Sequence, residues 1–306
     1  MENNYFSKVR ILDGGMGQTL LSKGLKTKGS LWSAASLIEK KYHQLVIDTH
    51  LDFINAGADV IITNNFAARR VRTIENNVDE YFNYANKKAG EFALKAKEIS
   101  KKNILIGGSL PAQNNTYIMD KRDKKIVRQN FFDQANLLKP FVNFFYLDVM
   151  SSIREIEIAL SVTEEMNLPV LIGIHVKKNC RLPSSETITE MFKKCKNENC
   201  LGLIAACVSP EIIEITIDEM KNLGIPFGYK ANLWKKKEPL PANKIIKITE
   251  DDGFGSNPVD ILGSRTDFTG EKFCDFSRKM INNGATILGG CCEIKPFHIE
   301  AISKLK

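Results

Sequence analysis

The chain has no run of 18 apolar residues, the length a membrane helix needs, and residues 1–10 hold no apolar core of signal-peptide length. A transmembrane helix and a secretory leader are therefore not expected. Cysteines are few and odd in number, 7 in 306 residues, with no C-x-x-C pair. That excludes a disulfide-stapled scaffold and predicts a reducing, cytoplasmic setting. No block of one charge sign is present: 43 Lys+Arg against 36 Asp+Glu give +7, spread along the chain. The densest basic runs, 121–128 and 235–237, contain no aromatics, so a nucleic-acid face is not expected. There is no linker, low-complexity tract or helical repeat, and residues 1–306 are expected to form one domain. A G-x-G-x-x-G fingerprint is also missing after the first strand; Gly14-Gly15-Met16-Gly17 lacks that spacing.

What the chain does contain is a regular alternation. Short β-branched runs recur at 9–13, 59–63, 104–108, 144–148, 170–175, 202–207, 226–229 and 286–289. Amphipathic stretches at 37–56, 80–100, 153–166, 210–223 and 296–304 lie between them or close the chain. The last two open on Pro near the first helical position, where a missing N–H costs nothing. Mostly apolar strands, each followed by a helix, describe a parallel sheet covered on its faces. Eight such units in a chain of this length predict an α/β fold, a single TIM (β/α)8 barrel, over an open doubly wound sheet.

In that fold the loops after the strands build the active site. Asp13, Thr63, Ser109, Asp148, His175, Cys207, Asn232, Cys291 and Cys292 all fall at or just after a predicted strand end. Cys207 follows the sixth strand; Cys291 and Cys292 follow the eighth, behind Gly289-Gly290, with one strand between the two ends. Neighbouring strand residues point to opposite faces, so two adjacent cysteines share an ion only where the backbone leaves strand geometry, and the glycines permit that. Three thiolates without a fourth protein ligand are the donor set of a catalytic Zn2+ that keeps one position open. Cys180, Cys195, Cys200 and Cys274 are read instead as small structural residues. A zinc ion with three thiolates has a formal charge of about −1 and is a poor source of hydroxide. It suits the ionisation of a substrate thiol that stays nucleophilic, which points to thiol alkylation.

The motifs Asp13-Gly-Gly-Met-Gly17, Leu31-Trp-Ser-Ala34, Gly57-Ala-Asp-Val-Ile-Ile-Thr-Asn-Asn-Phe66 and Ile106-Gly-Gly-Ser-Leu-Pro111 stand in this order ahead of Cys207. Gly289-Gly-Cys-Cys292 with Pro296 and His298-Ile299 follow it. Together, over residues 9–303, they resemble the homocysteine S-methyltransferase family. The resemblance implies a TIM barrel in which a methyl group passes to the zinc-bound thiolate of homocysteine, giving methionine. It assigns Cys207, Cys291 and Cys292 to Zn2+, Asp13 and Gly14 to the amino-acid site, and Trp32 to the neighbourhood of the methyl donor. Phe66 matches the aromatic after the second strand, and Asn232 matches an asparagine near the substrate.

Three departures stand beside the likeness. Asp148-Val149 occupies the family's usual Glu-Thr, Ile204-Ala205-Ala206 its Gly-x-Asn before the first zinc cysteine, and Glu293-Ile294-Lys295 its Gly-Thr-Thr after the pair. The related cobalamin- and folate-dependent enzymes carry further large domains for which 306 residues leave no room. The donor is therefore expected to be a small sulfonium compound, S-methylmethionine or S-adenosylmethionine, with betaine or another onium compound as the alternative. In the expected in-line transfer Asp13 or Asp148 pairs with the acceptor's ammonium group and Trp32 attracts the onium face. His175 is read as hydrogen-bonded structure. The partners are thus two small molecules, with no nucleic acid or membrane, and homo-oligomerisation is left open. Two rival readings are a paralogue methylating another thiol or a selenol, and a non-catalytic barrel with a structural zinc. The long, charged loop 114–128 permits a lid.

Overall fold

All eight apolar runs form strands in a computed structural model that describes residues 4–27, 29–238 and 257–306. They are β1 (Arg10–Ile11), β2 (Val60–Ile62), β3 (Leu105–Pro111), β4 (Phe144–Met150), β5 (Val170–Ile174), β6 (Cys200–Val208), β7 (Phe227–Ala231) and β8 (Ile287–Gly290). Every pairing is parallel, in the order β1-β8-β7-β6-β5-β4-β3-β2. The ring closes between β1 and β2 through a Leu12–Val60 bridge, where the Asp59 N–H donates to the Ile11 carbonyl (2.7 Å) and the Asp13 N–H to the Val60 carbonyl (2.9 Å). This is the expected TIM barrel. Strands walled on both faces need apolar side chains throughout, and all seven residues of β4, Phe-Phe-Tyr-Leu-Asp-Val-Met, are buried.

Among the described residues the outer layer comprises α1 (His43–Asn55), α2 (Phe82–Ser100), α3 (Lys124–Leu138), α4 (Ile153–Glu165), α5 (Ile188–Cys195), α6 (Pro210–Lys221), α7 (Gly270–Asn282) and α8 (Pro296–Ser303). Two stretches differ from the sequence expectation. The amphipathic stretch 37–56 is not one helix: a short helix Ala35–Ile38 ends at the extended residue Glu39, and α1 starts only at His43. The His43 imidazole bonds to the Leu37 carbonyl (3.1 Å), which the break leaves free. The charged loop also stops short of residue 128, because the Asp123 carboxylate accepts from the Lys125 N–H (2.7 Å) and caps α3. Among the described residues no helix is long and apolar enough to cross a membrane.

One core residue carries a titratable cost. His50 on α1 is fully buried with neither ring nitrogen hydrogen-bonded, and burial pushes its pKa down from 6.5 to about 4. The unfolded chain takes up that proton first, so stability is lost as pH falls from 6.5 toward 4. His50→Leu is expected to lose less stability than the native chain over that interval, the gap reaching about 3 kcal/mol. Denaturant titrations from pH 7 to pH 4 check this, and parallel curves for the two proteins would refute it.

Candidate functional site

The C-terminal ends of β6 and β8 bring three sulfurs together. Cys207 has a left-handed backbone (φ +54°) where the β6–β7 register breaks between Ala206 and Val208. Such a conformation costs a non-glycine residue on the order of 1–3 kcal/mol. The bulge is held by Asn232, whose side-chain amide donates to the Cys207 carbonyl (2.7 Å). Sγ of Cys292 lies 3.9 Å from both Cys207 Sγ and Cys291 Sγ, and all three lie within 4.8 Å of one another. A tetrahedral zinc with bonds of about 2.3 Å needs S···S edges of about 3.8 Å, so the trio fits one ion. Among the described residues no imidazole or carboxylate joins the cluster. Hydrogen bonds from Cys291 and Cys292 hold the Cys207 thiol well below its usual range, and the same bonds push Cys291 and Cys292 well above theirs. Ionising all three requires a cation at their centre.

The Asp13-Gly-Gly-Met-Gly17 motif serves this cluster by close approach. The turn after β8 is pinned by backbone bonds from Gly15 N–H to the Ile294 carbonyl (2.7 Å), Cys291 N–H to Ala231 (2.7 Å) and Leu233 N–H to Cys292 (3.1 Å). A methyl group on Gly15 would sit 2.5 Å from the Cys291 carbonyl oxygen, one on Gly14 2.5 Å from that of Ile294, and one on Gly17 2.6 Å from the Trp32 ring. These glycines are needed for packing against the cysteine turn and the indole.

A cavity of about 130 Å³ opens over the sulfurs. Asp13, Gly14, Trp32, Phe66, Asp148 and the three cysteines all line it. Asn232 does not; it stands behind Cys207. Asp13, one of the two acids expected to pair with the acceptor's ammonium, has partners within the chain: one carboxylate oxygen takes the Lys230 ammonium (2.5 Å) and the other the Ile62 N–H (2.7 Å). Burial raises its pKa, while Lys230 draws it back. Asp148 accepts from the Ser109 hydroxyl (2.9 Å), and burial raises it to about 6 against the pull of Lys230. The next residue, Val149, sits at φ +63° in a second bulge, between Leu147 and Met150.

At the outer end, Trp32 and Phe66 meet edge to face with centroids 6.4 Å apart. Ser30, two residues before the indole, is tied to Glu75 (2.9 Å) and Asn76 (3.1 Å).

Several lining residues escaped the sequence reading. Lys230 is one. Tyr117, from the loop after β3, brings its hydroxyl to 3.2 Å from Cys207 Sγ, and its ring packs on His175 (4.5 Å). Burial first, then the neighbouring sulfurs, push the phenol well above its ordinary pKa. Arg69 fixes that loop, donating to the carbonyls of Ala112 (2.6 Å) and Asn114 (2.8 Å). Burial, then Arg72, lowers Arg69 to about 9. A lysine or arginine inside an apolar stretch is the one sequence signal that marks such residues. Because the Gly15 contact is to backbone, Gly15→Ala is expected to cost about 1–3 kcal/mol; unchanged denaturant stability would show that the turn after β8 yields freely.

A family model described as homocysteine S-methyltransferase matches residues 10–305. The chain is 24% identical to Homocysteine S-methyltransferase 2 of Saccharomyces cerevisiae, covering 97% of this chain and 93% of that one. It is 27% identical to the S-methylmethionine–homocysteine S-methyltransferase BHMT2 of Pongo abelii, covering 97% and 78%. Its fold is similar to the metallated form of the homocysteine methyltransferase MmuM from Escherichia coli, with a TM-score of 0.77 at 18% identity over 98% of this chain and 96% of that one. With the family model spanning nearly every residue from β1 to the C-terminus, the chain belongs to the homocysteine S-methyltransferase family.

Proposed function

We propose that this chain is a zinc-dependent methyltransferase that moves a methyl group from a small sulfonium donor, S-methylmethionine or S-adenosylmethionine, to the thiol of homocysteine, giving methionine. The observation that carries the reading is the sulfur trio, spaced for one tetrahedral ion and lying in a cavity also lined by Trp32 and Phe66. Cys207, Cys291 and Cys292 would hold the ion. When bound, zinc supplies the ionisation of an acceptor thiol at neutral pH. A fold neighbour, the homocysteine methyltransferase MmuM, was solved in a metallated form, which is in keeping with a metal in a barrel of this shape.

The chain's own side chains supply the rest. Asp148 is the cavity carboxylate not already paired with an internal cation, so it takes the acceptor's ammonium. Phe66 already carries the Arg69 guanidinium 5.0 Å from its centroid, which leaves the Trp32 face for the onium group, a contact worth roughly 0.5–2 kcal/mol. The acceptor sulfur bonds to the methyl carbon as the donor's sulfur–methyl bond breaks, and the bonding pair stays with the donor. Both charges shrink toward the transition state, so a water-poor cavity that holds the pair in line favours the step. The thiol proton passes to solvent before transfer. No side-chain base is needed, and His175 keeps its place under Tyr117.

Zinc-loaded protein incubated with homocysteine and, in turn, S-methylmethionine, S-adenosylmethionine and betaine is expected to release methionine with a sulfonium donor. Methionine from betaine alone would move the donor to the alternative class, and none from any donor would overturn the proposal. Replacing Cys207, Cys291 or Cys292 by Ala is expected to weaken zinc binding by at least about 100-fold, since even outer-shell changes cost 10–100-fold. Retention of zinc at native affinity in any of the three would refute the site.

A further inference from the structure

Lys230 is a buried cation one residue from the C-terminal end of β7, with Ala206 of β6 and Gly289 of β8 as its register partners. Buried lysines are rare and need a reason. Its Nζ carries three N–H donors. One goes to the Asp13 carboxylate (2.5 Å), and a long second contact reaches the Asp13 carbonyl (3.4 Å). The ammonium therefore neutralises Asp13 and keeps a donor for something else. Lys230 lines the cavity with the three cysteines and Asp148. Arg69 and Arg72, the other cavity cations among the described residues, are spent elsewhere: Arg69 on the carbonyls beneath Tyr117, and Arg72 on Glu75 (2.8 Å).

At the metal end there is thus one uncommitted anion, Asp148, and one cation with a donor to spare, Lys230. We propose that Lys230 is a specificity-determining residue that holds the carboxylate of the acceptor, so the acceptor is a thiol bearing a carboxylate and Asp13 is withheld from its ammonium. This rests on the reading of the sulfur trio as the place where an acceptor thiol binds. It inverts the role of Asp13: in this chain the acid fixes the lysine, and the lysine meets the substrate. A carboxylate on Lys230 and an ammonium on Asp148 together match a zwitterionic amino acid.

The test uses full-length cobalt-substituted protein, whose visible absorption reports thiol binding without turnover. Homocysteine is compared with 4-mercaptobutanoate, which lacks the ammonium, and 3-aminopropane-1-thiol, which lacks the carboxylate. Native protein is expected to bind the aminothiol about 10- to 100-fold more weakly than homocysteine, the worth of one charge-assisted hydrogen bond. Lys230→Arg, which keeps the cation, retains that discrimination. The double variant Asp13→Asn/Lys230→Met removes the pair together and avoids stranding a buried charge; it is expected to keep its metal content and bring the two affinities to within about threefold. Equal binding of both thiols by native protein, or undiminished discrimination in the double variant, overturns the role of Lys230 alone. If none of the three thiols shifts the spectrum, the acceptor site itself falls, and this inference with it.

Discussion

Three ionisable sulfurs within 4.8 Å of one another in a buried place are the constraint around which the barrel's mouth is built. Thiols so close resist joint ionisation, and a backbone that follows strand geometry does not aim two adjacent cysteines at one point. The chain meets the second difficulty with left-handed backbone at Cys207 and at Glu293, just beyond the pair. It offsets the strain with short backbone bonds from Gly15 and to Ala231, and with the Asn232 amide on the Cys207 carbonyl. Strain of this kind persists where surrounding structure over-determines it. Val149, Trp32 and Tyr117, all with positive φ, mark the same rim.

The electrostatic design follows from the sulfurs. A cluster that gathers negative charge cannot stand beside two further unpaired carboxylates in a low dielectric. Asp13 is neutralised by Lys230, and Asp148 is moderated by the Ser109 hydroxyl while burial lifts it to about 6. The cavity floor is thereby divided into a paired acid and an available one, a distinction that residue type does not reveal.

The barrel was legible because eight short, mostly apolar runs alternate with longer amphipathic stretches, a pattern that implies eight strands paired in parallel. The sulfur trio was legible for a related reason, since barrel topology places the ends of β6 and β8 two strands apart. What pattern could not supply was pairing. Asp13 reads as a residue beside the amino-acid site, and nothing in the sequence shows that Lys230, 217 positions away, pairs with it. Nor did the sequence reading single out Tyr117, because a loop side chain reaches a site through contacts such as those of Arg69 that no periodicity encodes. The helix expected over 37–56 failed for a local reason, the extended Glu39, which hydrophobic spacing does not register.

The three departures from the family pattern separate once their contacts are known. Glu293 accepts from the Ser264 hydroxyl (2.7 Å), Ile294 packs on Gly290 and Gly14, and the Lys295 N–H is capped by His298 Nδ1 (3.0 Å). All three residues after the cysteine pair are therefore engaged in holding the turn. The other two departures face the chemistry. Ala206 stands on β6 where the family usually has an asparagine, and its register partner on β7 is Lys230. Asp148 is one methylene shorter than the usual Glu, keeps its charge, and accepts from the Ser109 hydroxyl (2.9 Å). The departures after the pair thus hold the turn that carries two of the three sulfurs, while those on β4 and β6 fall beside the cavity itself, Asp148 lining it and Ala206 standing opposite Lys230, which does.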